Sequence, residues 1–306
     1  MPIVYIHGVA VRDDDPVLAR SAKRFREVPW PTIQSLLSEH VAPSLSDDPA
    51  GVPVMRIYWG DLGAQFAWDG RSLVSRPFED ERAAASDGTA EGLRAKGIRN
   101  FQATVSALRR PLEYFVPVFL GDVLTYVARR GTADAPGPIP QRILAGLETA
   151  AFAARARNEP LVVVTHSMGG QVLYDVLTHF LPRMPQHRHI RVDFWCATAS
   201  QVGFFEELGL FLESSPSRGA DTGVRTPLPP PEHLGGWWNV WDHADLLSFR
   251  ADGIFDGVDD AAFFTGGTLA SEHNRYLASV AFHQMLAEKI RGSLDVERRL
   301  PRSTEE

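Results

Sequence analysis

The stretch Leu161-Val162-Val163-Val164-Thr165-His166-Ser167-Met168-Gly169-Gly170 constrains the fold more than any other part of the chain. Four apolar residues in a row, three of them β-branched, predict a short strand buried on both faces, as strands of a parallel sheet are. Beyond the two glycines, Val172, Leu173, Val176, Leu177, Phe180 and Leu181 recur at the spacing of one helical face. A strand that becomes a helix within so few residues needs a sharp turn, and Ser167 sits on it. Such an elbow holds the serine out from the backbone at the head of the helix, where unpaired N–H groups and the helix dipole can stabilise an oxyanion. Gly169 stands where the helix must pass close to the strand. The plain alternative is a strand-to-helix turn in which the serine only caps the helix.

Thr165-His166-Ser167-Met168-Gly169-Gly170 resembles the serine motif of the α/β-hydrolases, especially their lipase and esterase branches, and within those the lipase-like proteins related to the GPI-inositol-deacylase group. The motif is G-x-S-x-G, and Thr165 departs from it by standing where the first glycine would be. The resemblance implies an α/β fold: a mostly parallel central sheet flanked by helices, with a helical cap inserted. It also implies where the remaining catalytic parts lie. Ile3 to Ile6 reads as a strand, and His7-Gly8-Val9 follows it as the His-Gly turn of the family does. By that resemblance the backbone N–H groups of Val9 and Met168 form the oxyanion hole; His7 itself comes too early in the chain to be the base and reads as a histidine satisfied by local hydrogen bonds.

Late in the chain, Trp237-Trp238-Asn239-Val240-Trp241 reads as a strand, followed by Asp242-His243-Ala244-Asp245-Leu246-Leu247. The triad acid of the family sits just past such a strand, commonly before two apolar residues. Asp245 fits best and Asp242 is the near alternative. Three histidines come late enough to be the base. His243 is pinned beside the acid, and His283 falls on the apolar-faced helix of Leu277, Val280, Met285 and Leu286. His273, in the loop between the last strand (Ala261 to Thr265) and the last helix, completes the order Ser, Asp, His.

Residues 1–60 and 140–291 therefore read as the core, with 292–306 a charged tail. Between the core segments, residues 61–139 break the strand–helix alternation. Their apolar run Tyr114-Phe115-Val116-Pro117-Val118-Phe119-Leu120 is too short for a membrane span, which needs about 20 residues. This insertion resembles the lid of α/β-hydrolases, and under that reading it lines an acyl pocket or makes transient contact with a membrane surface; otherwise its helices simply pack on the sheet. The five prolines of 214–236 predict a long surface loop.

With 31 basic against 38 acidic residues and a net charge of −7, nothing favours nucleic acid as a partner. One cysteine, Cys196, excludes an internal disulfide framework. The N-terminus lacks the basic region and cleavage site of a signal peptide, which predicts a cytoplasmic protein. His187-Arg188-His189 could hold a metal but has no third partner nearby and reads as a solvated turn. Asp242, His243 and Asp245 lie too close along the chain to converge on one ion, and no metal or cofactor is expected. The expected activity is hydrolysis of a carboxylic ester, lipid or other, by a Ser-His-Asp triad. A catalytically idle binding or regulatory module is the alternative from another class, and a thioesterase, amidase or peptidase the alternative among enzymes.

Overall fold

The computed structural model describes residues 2–13, 27–67, 115–215, 217–219, 221–266 and 272–299. Six strands form one sheet: β1 (Ile3–Ile6), β2 (Val54–Ile57), β3 (Val162–His166), β4 (Val192–Thr198), β5 (Leu234–Trp241) and β6 (Asp259–Ala262). Their order is β2-β1-β3-β4-β5-β6, and every neighbouring pair is parallel. Parallel pairing needs a crossover between consecutive strands, and the crossovers place helices on both faces. The protein thus has an α/β fold.

Alternation along the strands divides the core in two. Val4, Ile6, Val163, Trp195, Ala197 and Trp237 face a layer built by α3 (Pro138–Arg157) and α4 (Gly169–Asp175, continued as a π turn over Val176–Phe180). Ile3, Tyr5, Val162, Val164, Cys196 and Trp238 face the opposite layer. That layer comprises α1 (Trp30–Leu36, continued by a π turn over Leu37–Val41) and the last helix, α5 (Val280–Arg299), which supplies Phe282, Leu286 and Ile290. The four residues of β1 and the five of β3 are all buried, as strands covered on both faces must be.

One stretch differs from the sequence expectation. The last helix runs on to Arg299, so residues 292–299, read as tail, are helical. Most of the 61–139 insertion, residues 68–114, lies outside the described residues, and so does the cap expected there. Its described end is helix α2 (Phe115–Arg129), which packs on the core: Val118 and Tyr126 are buried, and the Tyr126 hydroxyl donates to Asp175 of α4 at 2.7 Å. Arg130 reaches the same carboxylate at 2.8 Å. Among the described residues no helix is long and apolar enough to cross a membrane.

The order β2-β1-β3 carries a consequence for function. The chain leaves β1 toward β2 on one side, and β3 returns on the other, so the sheet reverses its winding between β1 and β3. In open α/β sheets the crevice at the carboxyl ends of the strands flanking this reversal is where ligands bind. His7-Gly8-Val9 leaves the end of β1 there, and Ser167 leaves the end of β3 beside it.

Candidate active site

Ser167 follows β3 directly and adopts φ +51°, in the left-handed region that a side chain enters only at a cost of about 1–2 kcal/mol. Its N–H donates to Thr198 O of β4 at 2.9 Å, and its C=O accepts from Gly170 N at 3.0 Å as the helix starts. The glycines around it are demanded by contact. A Cβ on Gly169 would lie 2.5 Å from Ile6 O, and one on Gly8 would lie 2.7 Å from the Ser167 Cβ. The β1 turn and the elbow therefore touch through glycine. Thr165 replaces the motif's first glycine without crowding, because its hydroxyl fills a buried place and accepts from Trp195 Nε1 at 2.9 Å.

The backbone N–H groups of Val9 and Met168 take no hydrogen-bond partner among the described residues, and both residues are buried. His7 is committed to structure. Its Nδ1–H donates to Gly8 O at 2.7 Å, its Nε2 accepts from Trp59 N at 2.9 Å, and its ring stacks on Trp59 at 5.0 Å. Burial lowers its pKa to about 3, which keeps the ring neutral.

The two candidate acids part company in their partners. Asp242 gives one carboxylate oxygen to Ala244 N (2.9 Å) and the other to Thr265 N (2.8 Å), so it fastens its own turn to the loop after β6. Asp245, whose side chain is 2% exposed, has both oxygens 3.0 Å from His273 Nδ1 and accepts from Leu247 N at 2.9 Å. A carboxylate only accepts, so in the neutral imidazole the proton sits on Nδ1 and Nε2 is left as the basic nitrogen. That Nε2 is buried and has no hydrogen-bond partner among the described residues. His273 lies alongside the elbow: its backbone C=O accepts from His166 Nε2 at 2.7 Å, and the two rings are 4.8 Å apart. Burial, and then the neighbouring His273, lower the His166 pKa to about 3.

Ser167, Val9, Met168, His7, Gly8, His166, Gly169, Asp245 and His273 thus gather at one end of the sheet, while Asp242 is turned to the backbone. His243 stacks loosely on Phe264, and His283 is a buried core residue whose Nδ1 meets Ser279 O at 2.8 Å. No hydrogen bond joins Ser167 Oγ to His273 among the described residues. The serine hydroxyl instead lies 3.4 Å from Gln201 Nε2. Gln201 was not foreseen from the sequence. Buried after β4, it directs its two amide hydrogens to Ala199 O at 2.8 Å and Leu247 O, so the longer approach to Ser167 is a weak, shared contact, and its Oε1 accepts from Gln171 Nε2 at 2.6 Å. It ties the serine turn to the loop that carries Asp245. A glutamine after a strand carries no motif, so only its partners reveal it.

A cleft of about 780 Å3 borders the Asp245 loop, lined by Phe204, Trp241 and Phe249 together with Glu207, Arg225 and Arg250. His187 and His189 both pair with Glu148, at 3.0 and 2.8 Å. Among the described residues no three His, Cys, Asp or Glu side chains converge as a metal ion would require. Compared with known proteins, the chain matches no family model and no curated protein.

Proposed function

We propose that this chain is a serine hydrolase of the α/β-hydrolase kind, cleaving carboxylic esters through an acyl-enzyme. The observation that carries the reading is the left-handed Ser167 at the strand-to-helix turn, with the His273–Asp245 pair beside it. Strain in the left-handed region persists where surrounding structure over-determines it, and it clusters at functional sites. The order of the three residues along the chain agrees with the same superfamily.

In this mechanism Ser167 Oγ attacks the ester carbonyl and passes its proton to His273 Nε2. Asp245 holds the tautomer and balances the imidazolium that forms. The carbonyl oxygen becomes an oxyanion between the N–H groups of Val9 and Met168, neither of which is engaged by another described residue. The tetrahedral intermediate expels the alcohol, which takes the proton from His273 and leaves Ser167 acylated. Water, deprotonated by His273, then releases the acid. For the first step the serine side chain must turn from Gln201 toward Nε2; catalytic hydrogen bonds often form only once substrate is bound.

The lipid-ester expectation rests on the 61–139 insertion, most of which lies outside the described residues, so the proposed substrate is a carboxylic ester, lipid or other. The single buried Cys196 fits a reducing, cytoplasmic setting. A catalytically idle module is the second reading, favoured by one observation: Ser167 contacts Gln201 and leaves His273 Nε2 bare. Intact-mass labelling with a fluorophosphonate separates the two. A single adduct on the wild type and none on Ser167→Ala is expected, followed by turnover on a panel of p-nitrophenyl esters. A folded wild type that takes no adduct and turns over no ester would remove the hydrolase reading.

A further inference from the structure

Asp122 is fully buried on α2, far in sequence from every residue of the site, yet its carboxylate accepts four hydrogen bonds. One oxygen takes Ala10 N at 2.8 Å and Arg12 Nη1 at 3.1 Å. The other takes Ala64 N at 2.7 Å and Arg12 Nη2 at 2.5 Å. Two glycines make room for this meeting. A Cβ on Gly63 would lie 2.3 Å from the Asp122 carboxylate, and one on Gly121 would lie 2.7 Å from Ala64 Cβ. Ala10 holds φ +58°, a conformation that alanine does not choose without an external partner.

Val9 stands between two fixed points. On one side Gly8 abuts the Ser167 Cβ, and on the other Ala10 is bound to Asp122. We infer that Asp122 is a positioning residue for the oxyanion hole: its buried carboxylate clamps the turn after β1 so that the Val9 N–H faces the carbonyl oxygen of an ester attacked by Ser167. The inference rests on the hydrolase reading above. A carboxylate suits the place because all four groups around it are donors, and Arg12 balances its charge. An amide does not suit it. In either orientation of the side chain, Asp122→Asn would set an NH2 against a backbone N–H, because Ala10 N and Ala64 N lie on different oxygens.

The test compares Asp122→Asn with Tyr126→Phe, which sits on the same helix and removes only the bond to Asp175. Each variant is measured for its fluorophosphonate rate at Ser167, for kcat and KM on p-nitrophenyl butyrate, and for Tm. A displaced catalytic donor costs up to about 100-fold in rate. The expected result is a kcat lowered at least tenfold in Asp122→Asn with KM within twofold, while Tyr126→Phe lowers Tm and keeps kcat within twofold. A kcat for folded Asp122→Asn within twofold of wild type would overturn the inference and leave the hydrolase reading standing. Absence of adduct and turnover in the wild type would overturn both. If Asp122→Asn does not fold, amide exchange in the wild type decides: Ala10 N–H protected to the level of β1 supports the clamp, and exchange at the rate of an unstructured chain overturns it.

Discussion

Asp242 and Asp245 lie three residues apart, and exchanging each for asparagine should produce opposite effects. In Asp245→Asn the amide oxygen keeps the bond from Leu247 N, because that N–H donates to Oδ1 at 2.9 Å. The NH2 then takes the position of the second oxygen, 3.0 Å from His273 Nδ1. The retained oxygen is also 3.0 Å from Nδ1, so the two tautomers compete; wherever the NH2 donates, Nδ1 accepts, the ring proton moves to Nε2 and the base is lost. Locking the wrong tautomer in a triad lowers kcat by about 10⁴, or about 5 kcal/mol of transition-state stabilisation. The folded state loses little, since each hydrogen bond is retained in altered polarity. Asp242→Asn works the other way. Its two oxygens serve Ala244 N and Thr265 N, and an amide serves only one, leaving a buried N–H against an NH2. Such a loss costs about 1–3 kcal/mol of stability, while the ring of His273 is untouched. The assay pairs urea unfolding with the rate of fluorophosphonate adduct formation by mass spectrometry. A rate collapse in Asp242→Asn with Asp245→Asn near wild type would refute the assignment of the acid, and equal effects in both would refute the reasoning from hydrogen-bond partners.

Other outcomes follow from the same geometry. Ser167→Gly should be more stable than Ser167→Ala, reversing the usual order, because only glycine escapes the cost of φ +51°; urea midpoints of the two variants check it. The net gain is about 1 kcal/mol or less once the freer unfolded chain of glycine is counted. Burial lowers the pKa of His7 and His166 to about 3 and that of His283 to about 4, from an unfolded value near 6.5. The unfolded chain therefore binds more protons below that value, and stability falls as pH drops from about 6.5 toward 4. Glu27, raised by burial to about 7, opposes this between roughly 4.5 and 7, where the folded state holds its proton. His283→Gln should flatten the slope of unfolding free energy between pH 6 and 5 by up to about 1.4 kcal/mol per unit. Cys196 is buried with its thiol pushed upward by desolvation, so alkylation by iodoacetamide should track global unfolding; fast modification of the native protein would contradict its placement.

Much of the scaffold was legible because it is written in local periodicity. β1 over Ile3–Ile6 and the strand–serine–helix sequence from Val162 onward need only neighbours along the chain. Boundaries were less legible. β5 begins at Leu234 rather than Trp237, since Gly235 and Gly236 carry no strand preference of their own and are held by pairing with β4. The last helix likewise continues to Arg299 through a polar stretch.

The sequence by itself determined the alternating α/β pattern, the sharp turn at Ser167, and the short menu of histidines and aspartates from which a triad could be drawn. Only the tertiary structure shows which partners each of them meets. Asp242 and Asp245 differ in which groups, 23 and 28 residues away, meet their oxygens. Gln201 reaches Ser167 across 34 residues, and Asp122 reaches Ala10 across 112. Periodicity records which face of an element is buried, but a hydrogen bond between distant segments leaves no trace in either segment's own pattern. It exists only once the sheet has set β1, β3, β4 and β5 side by side, with their carboxyl ends at one edge.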